Sequence, residues 1–190
     1  MPAKTNRLAS TARHRFHVAP TAAAALLLAG LASGCAAPDD QFAPACPSLS
    51  LVPGASDITR FAGSGRDPAD MVLHAQIAAV PAKCVRDGTK SIKSTLNVQA
   101  DMTRGIAAHG PTPPLTYFIA VTQGDKVLQE QDFALVAQFP SNSDRISIKG
   151  DDIELLVPVS KTKSAAAYHI YVGFRLTQDE LAYNRSHHMQ

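Results

Sequence analysis

The stretch SIKSTLNVQADM, residues 91–102, alternates apolar and polar side chains over most of its length. Alternation with a period of two is typical of a β-strand with one buried face and one solvated face. The predicted buried face carries Ile92, Leu96, Val98, Ala100 and Met102. The predicted solvated face carries Lys93, Thr95, Asn97, Gln99 and Asp101. We therefore predict a single half-buried strand over this stretch.

Five more stretches repeat the pattern, and segments rich in glycine, proline and aspartate separate them. They are MVLHAQIAAV (71–80), LTYFIAVT (115–122), FALVAQF (133–139), DIELLVPV (152–159) and YHIYVGF (168–174). Strands with one polar face are typical of antiparallel sheets, because parallel sheets are covered on both faces. With a first strand near Cys46, the sequence contains about seven short strands. We predict an all-β, immunoglobulin- or fibronectin-like antiparallel β-sandwich over residues 46–176, with a small barrel as the alternative.

The stretch RLTQDELAYNR, residues 175–185, has a different pattern that is typical of a helix start. Thr177 as N-cap and Glu180 three residues later make a capping box. We predict a short capped helix and tail over residues 177–190. A helix this short persists only when it packs against the rest of the fold. The residues expected to make that contact are Leu181 and Tyr183.

The first 34 residues have the three zones of a secretory signal peptide. Four cations stand in the first zone, at Lys4, Arg7, Arg13 and Arg15, and no Asp or Glu accompanies them. An apolar core of 11 residues follows, from Thr21 to Leu31. A membrane-spanning helix needs roughly 20 apolar residues, so this core is too short to remain as a span.

The leader ends with LASGC, residues 31–35, which resembles the lipobox of bacterial lipoproteins. In that family the cysteine sulfur receives a diacylglycerol and the leader is cleaved, so the resemblance implies that Cys35 becomes an acylated N-terminus. Ala32 stands where leucine is commoner, and the alternative is an ordinary signal peptide with an unmodified Cys35. Ala36, where aspartate favours inner-membrane retention, points to the outer membrane. Residues 35–45 then form the lipidated cysteine and a flexible tether.

An acylated Cys35 leaves Cys46 and Cys84 for other work. Because an exported protein meets an oxidising compartment, we predict a disulfide between these two cysteines. The bond would close a loop of 39 residues, and such a loop is worth ~4 kcal/mol in the chain-entropy model. The alternative is a metal or redox site, which their wide spacing without a C-x-x-C pattern supports poorly.

Charge and motifs exclude several functions. Residues 36–190 carry 14 Lys and Arg against 16 Asp and Glu, and they lack the basic cluster of a nucleic-acid reader. The segment GSGRD, residues 63–67, lacks the frame of a phosphate-binding loop and is interpreted as a polar loop. We predict no catalytic constellation, metal site or cofactor. The best candidate outside the core is the long loop 103–114 with Arg104 and His109, whose alternative interpretation is a rigid crossover between sheets.

Three stretches resemble a group of uncharacterised envelope lipoproteins from α-proteobacteria. They are TRFAGSGRDPADMVLHAQI (59–77), YFIAV (117–121) and GFRLTQDELAYNR (173–185), of which the last is the most specific. The resemblance covers most of residues 46–185. It implies an envelope lipoprotein, and it carries over no activity and no catalytic residues.

These patterns favour a non-enzymatic binding or assembly module that is lipid-anchored in the outer membrane and faces the periplasm. The expected partners are membrane lipid, through acylated Cys35, and an envelope protein met at a sheet edge or through the C-terminal helix. The residues expected to contact this protein are Arg104, His109, Leu181, Tyr183 and Arg185. Two alternatives stay open: an envelope enzyme with its site in loop 103–114, and a secretion-system lipoprotein with a transthyretin-like sandwich.

Overall fold

Strands dominate residues 45–187, which are the part of the chain that the computed structural model describes. The strands of this part are β1 (Ser48–Leu51), β2 (Asp57–Phe61), β3 (Met71–Ala79), β4 (Ala82–Asp87), β5 (Ser91–Leu96), β6 (Gln99–Arg104), β7 (Leu115–Gln123), β8 (Lys126–Leu135), β9 (Arg145–Lys149), β10 (Ile153–Pro158) and β11 (His169–Phe174). A single α-helix in the same part, α1, spans Gln178–His187. The predicted signal peptide (1–34), Cys35, nearly all of the tether and the tail 188–190 lie outside the described residues.

The strands form three sheets. Sheet 1 has the order β1-β11-β7-β8, sheet 2 the order β2-β3-β6-β9 and sheet 3 the order β10-β5-β4. Paired strands run antiparallel, except that β1 runs parallel to β11. The predicted all-β sandwich with a short C-terminal helix is confirmed, although the described residues contain eleven strands rather than about seven.

The larger number of strands has a local cause, because three lengths of chain run through both sheet 2 and sheet 3. The interruptions fall at residues 80–81 between β3 and β4, 97–98 between β5 and β6, and 150–152 between β9 and β10. They meet at one level: Asn97 donates its N–H to the carbonyl of Pro81 (3.3 Å), and Gly150 donates its N–H to the carbonyl of Val98 (2.8 Å). Pro81 has no N–H for a ladder. The predicted strand 91–102 is therefore two strands bent at this crease.

One hydrophobic core contains side chains from all three sheets. Its largest fully buried side chains include Tyr117, Tyr168 and Phe174. The five apolar residues on the predicted buried face of residues 91–102 are all buried, which confirms that face. At Gly150, an added Cβ would lie 3.1 Å from the hydroxyl oxygen of Tyr117 and 3.2 Å from Cδ1 of Leu135. The missing side chain thus lets the crease approach sheet 1.

The predicted disulfide is confirmed: Cys46 is bonded to Cys84, and their Cα atoms lie 5.9 Å apart. Cys46 lies two residues before the start of β1, and Cys84 lies within β4. The bond therefore joins an edge of sheet 1 to an edge of sheet 3. Because β1 has only four residues, the disulfide gives the start of the folded chain a second, covalent attachment.

Strand register brings the start of the folded chain to one end of the sandwich. Ser48 of β1 lies beside His169 of β11, which lies beside Thr122 near the end of β7. Two hydrogen bonds connect the neighbouring turns at this end. The Val159 N–H donates to the Lys90 carbonyl at 2.8 Å, and Lys163 Nζ donates to Gln123 Oε1 at 3.1 Å. We call Cys46 together with residues 86–91, 123–126 and 159–169 the Cys46 end.

The opposite end of the sandwich carries the longer loops and the helix. Leu115 lies beside Leu135, so β7 begins and β8 ends there. The N–H of Arg104 bonds to the carbonyl of Asp144 at 2.7 Å, which joins two loops of sheet 2. The N–H of Arg175, just before α1, bonds to the carbonyl of Thr116 near the start of β7 at 2.8 Å. We call residues 60–70, 104–114, 136–144 and 175–187, which include α1, the loop end.

Candidate functional site

A cleft of about 230 Å³ opens at the loop end between β2, residues 62–66 and the start of α1. One wall carries Thr59, Arg60, Phe61, Gly63 and Arg66, and the other carries Thr177, Asp179, Glu180 and Tyr183. Guanidinium groups, carboxylates and aromatic rings therefore line the same small volume. Such a lining suits recognition of a polar group that sits against an aromatic surface.

Glu180 holds the two walls of the cleft together. Its Oε2 accepts the Thr177 N–H at 2.7 Å, while its own N–H donates to Oγ1 of Thr177 at 3.2 Å. These two bonds are the predicted capping box, and they satisfy donors that the first turn would otherwise leave free. Oε1 of Glu180 accepts from Nε of Arg60 at 3.1 Å. One carboxylate thus both starts the helix and ties it to β2.

Asn184 fixes the other end of the contact between α1 and β2. It is buried, and its Nδ2 donates to the carbonyls of Gly54 (2.9 Å) and Asp57 (2.8 Å). The N–H of Ile77 bonds to the carbonyl of Ser56, so the alternation of an antiparallel ladder turns the backbone groups of Asp57 away from β3. The helix therefore covers the free edge of β2, and Asn184 satisfies polar groups along it.

Aromatic contacts complete the wall of the cleft. The rings of Phe61 and Tyr183 meet edge to face, with centroids 5.0 Å apart. The guanidinium carbon of Arg66 lies 5.4 Å from the Phe61 centroid, and its Nη1 donates to the carbonyl of Gly65 at 2.7 Å. Within residues 45–187, Arg66 makes no ion pair with a carboxylate. Arg66 therefore presents a charged, ring-supported donor group to an incoming ligand.

The residues predicted on the helix occupy three different environments. Tyr183 lines the cleft. Leu181 lies against the turn before β2, where its Cδ1 is 3.8 Å from the position a Cβ would take on Gly54. Arg185 is exposed on the surface of α1. The three helix residues that were predicted to contact a partner are therefore one residue of the cleft, one packing residue and one surface residue.

The residues predicted in loop 103–114 lie apart from this cleft. Arg104 ends β6, two strands away from β2 in sheet 2. Its Nε and Nη2 donate to Oδ1 of Asp144 at 2.9 and 2.7 Å, and its guanidinium lies 5.3 Å from the ring centroid of Phe139. His109 is exposed further along the same loop. The structure thus gives Arg104 a loop-joining role and leaves the cleft to residues of β2, the loop after it and α1.

Paired arginines are a general feature of the loop end. Besides Arg60 and Arg104, Arg175 contacts both Glu130 and Asp132 and lies 4.6 Å from the ring centroid of Phe118. The hydrogen bond to Glu130 is the main reason that the pKa of Arg175 is raised above its ordinary value. These pairs hold loops and strand ends in place, whereas Arg66 makes no ion pair with a carboxylate of residues 45–187.

Comparison of the chain with family models, with curated proteins and with solved structures gave no match. Among residues 45–187, no three His, Cys, Asp or Glu side chains converge in a way that could hold a metal ion. The same residues contain no helix that is long and apolar enough to cross a membrane. The geometry of the cleft is therefore the main guide to function.

Sequence reasoning missed several residues of this region, among them Arg60, Phe61, Arg66 and Asn184. Arg66 belongs to the segment GSGRD, which was interpreted as a polar loop, and the structure places this loop in the cleft wall. A signal was present in part, because an arginine and an aromatic residue flank this glycine-rich loop. Asn184 had no such signal, since its partners Gly54 and Asp57 are 130 and 127 residues away.

Proposed function

We propose that the chain is a lipid-anchored module of the bacterial cell envelope that binds a protein partner through the cleft at the loop end and has no catalytic activity of its own. The lipobox-like ending of the leader supports the anchor. The bond between Cys46 and Cys84 supports export, because structural disulfides persist in oxidising compartments and are rare in the cytosol.

The observation that carries the proposal is the position of the cleft. It opens at the loop end, whereas the chain enters the sandwich through Cys46 at the opposite end. A tether attached before Cys46 therefore leaves the cleft facing away from the anchored side. This arrangement suits a protein that presents a binding surface to a partner in the periplasm.

The resemblance to α-proteobacterial lipoproteins supports the same site. Residues 59–77 supply one wall of the cleft and residues 173–185 supply the other. Two stretches that are distant in sequence, and that carry the resemblance, therefore meet at one place. Because these two stretches meet at the cleft, we expect the lipoproteins of this group to share it.

The chemistry of the cleft favours binding over catalysis. Acid–base catalysis needs a group that is held within reach of a bound substrate and is free to exchange a proton with it. Both carboxylate oxygens of Glu180 already serve the helix cap and the contact with Arg60, and the other carboxylate of the cleft, Asp179, is exposed to solvent. Arg66 on the Phe61 ring instead offers fixed donors beside an apolar surface, a combination that is common at protein interfaces.

Photo-crosslinking in the intact envelope tests this function. A crosslinkable residue at Arg66 or Asp179 should capture a protein partner, and the same group at Thr89, in an exposed turn of the Cys46 end, should not. Arg66→Glu should abolish capture from position 179, while Arg145→Glu, a matched change on exposed β9, should leave it intact. Capture from position 89 alone would contradict the proposed surface. Mass spectrometry should find Cys35 as the acylated N-terminus, and an unmodified Cys35 would contradict the anchor.

A further inference from the structure

The charges of the folded domain separate between its two ends. Residues 46–187 contain 14 Lys and Arg and 14 Asp and Glu. The Cys46 end holds five of the cations, at Arg86, Lys90, Lys126, Lys161 and Lys163, but only two of the acids, at Asp87 and Asp125. This end therefore carries a net charge of +3, and the rest of the domain carries −3 with histidines neutral.

The lysines of the Cys46 end differ in their surroundings from three of the arginines of the loop end. Lys90, Lys126 and Lys161 are exposed and make no ion pair with a carboxylate of residues 45–187. Lys163 donates to the uncharged amide of Gln123. At the loop end, by contrast, Arg60, Arg104 and Arg175 face carboxylates. The lysines thus keep their charge available to something outside the domain.

We propose that the Cys46 end rests directly on the anionic lipid surface that holds the anchor. This inference relies on the proposed anchor for its setting, but the basic surface itself is a property of the fold. Cys35 and Cys46 are 11 residues apart, and even a fully extended chain of that length spans at most about 40 Å. The tether therefore keeps this end of the domain within about 40 Å of the headgroups.

Membrane binding is stronger when the lipid anchor and the basic surface act together than when either acts alone. An anionic leaflet attracts lysines near its surface, and the attraction fades within a Debye length of about 8 Å at physiological salt. A lipid chain supplemented by a basic surface binds membranes more firmly than the chain alone. The disulfide sets the geometry, because it fixes the exit of the tether to β4, three residues before the basic turn 87–91. The cleft is then held at the far side of the domain from the membrane.

Vesicle sedimentation tests the basic surface without the anchor. The separate compact unit Phe42–Gln190 contains the described core and the disulfide, so it serves as the test protein. It should sediment with vesicles that contain phosphatidylglycerol, release at high salt, and ignore vesicles of phosphatidylcholine alone. Lys90→Glu with Lys161→Glu should weaken sedimentation at least about tenfold. Arg145→Glu with Lys149→Glu makes the same change in net charge on exposed β9 and should leave it within about twofold.

Three results would overturn the inference: no binding to anionic vesicles, equal binding to both kinds of vesicle, or equal loss in the two charge-reversed variants. Equal loss would mean that only total charge matters. A crosslinkable residue at Thr162 in the intact envelope should capture lipid, and capture of a protein at that position would also overturn it.

A second measurement separates this inference from the proposed anchor. The full lipidated chain is placed in nanodiscs whose anionic headgroups carry a spin label. Amide signals of residues 88–90 and 161–163 should broaden, and those of residues 62–66 should not. If Phe42–Gln190 binds anionic vesicles but Cys35 is unmodified in the envelope, the proposed anchor alone is wrong. If the anchor is confirmed but the amide signals of residues 62–66 broaden, the proposed orientation of the domain on the membrane alone is wrong.

Discussion

The two ends of the sandwich are held together by different chemistry. The Cys46 end is fixed by a covalent bond between two sheet edges, and its lysines make no ion pairs with the described residues. The loop end has no cysteine. Its loops and helix are held by arginines that contact carboxylates and aromatic rings, and by the side-chain amide of Asn184. The first end therefore has a covalent attachment, whereas the second end is held by polar and aromatic contacts that single substitutions can remove.

The two ends differ because a short edge strand needs protection from fraying at one end and a short helix needs attachment at the other. β1 has four residues at a sheet edge, so hydrogen bonds alone hold it weakly against fraying. A disulfide removes that weakness by restricting the unfolded chain. The helix α1 is also short, and among its described residues only Asn184 is buried. Its attachment is therefore polar and local, so single substitutions should release it while the sandwich stays folded.

The largest expected effect is at the Cys46 end. Replacing both Cys46 and Cys84 with serine should lower the free energy of unfolding by ~4 kcal/mol, because the bond closes a loop of 39 residues. Urea unfolding followed by circular dichroism measures the change, and hydrogen exchange should rise first in β1. Reduction of the unaltered protein should give the same loss. A loss below about 1 kcal/mol would contradict the idea that this bond dominates the Cys46 end.

The part of the fold that sequence could predict is the part set by local pattern. Alternating side chains identified the buried face of residues 91–102, since a strand repeats every two residues whatever its partners are. The same logic failed at the crease, where Pro81, Asn97 and Gly150 come together from three separate lengths of chain. The direct contact of Gly150 with Tyr117 and Leu135 is equally invisible in a single stretch.

The same limit applies to the candidate site. The capping box of Thr177 and Glu180 lies within four residues and was predictable, and so was the presence of a helix with Tyr183 on it. The hydrogen bond between Arg60 and Glu180 joins residues that are 120 positions apart, so no local sequence pattern predicts it. Loop 103–114 was the candidate because of its length, but the loop between β2 and β3, which contains Arg66, is the one that lines the cleft together with the helix.

The next largest effect should fall on the loop end. Asn184→Ala removes the two hydrogen bonds to the carbonyls of Gly54 and Asp57 and leaves these buried groups without that donor. We expect a loss of ~2 kcal/mol and faster hydrogen exchange in α1 and β2. Arg185→Ala, the exposed neighbouring residue on the helix, is the control and should change stability by less than about 0.5 kcal/mol. Equal losses in the two variants would mean that Asn184 does not anchor the helix.

A smaller effect should follow from loss of the helix cap. Thr177→Ala removes the hydroxyl that accepts the Glu180 N–H and should cost ~1 kcal/mol. Thr177→Ser keeps this acceptor and should recover most of that loss. Thermal unfolding measures both variants, and the disulfide at the far end should remain intact in each. If the serine variant were as unstable as the alanine variant, packing of the threonine methyl group rather than capping would hold the start of α1.

The smallest effect concerns Tyr117 in the core, and it emerges only in alkali. Burial, with a further contribution from the charge of Asp151, raises the pKa of Tyr117 above its ordinary value of 10.0. The folded state therefore keeps the tyrosine neutral at a pH where the unfolded chain ionises it. The resulting stability is fully present below pH 10 and is lost as the pH rises from there towards the raised pKa.

Tyr117→Phe should remove this contribution, so stability should fall less steeply above pH 10 in the variant than in the unaltered protein. Asp151→Asn removes the smaller cause and should reduce the slope only in part. Urea unfolding at a series of pH values measures each slope in thiol-free buffer, which protects the disulfide. Parallel slopes in all three proteins would mean that alkali acts elsewhere. A difference would show instead that ionisation of Tyr117, which is buried near the start of β7, accounts for part of the stability lost in alkali.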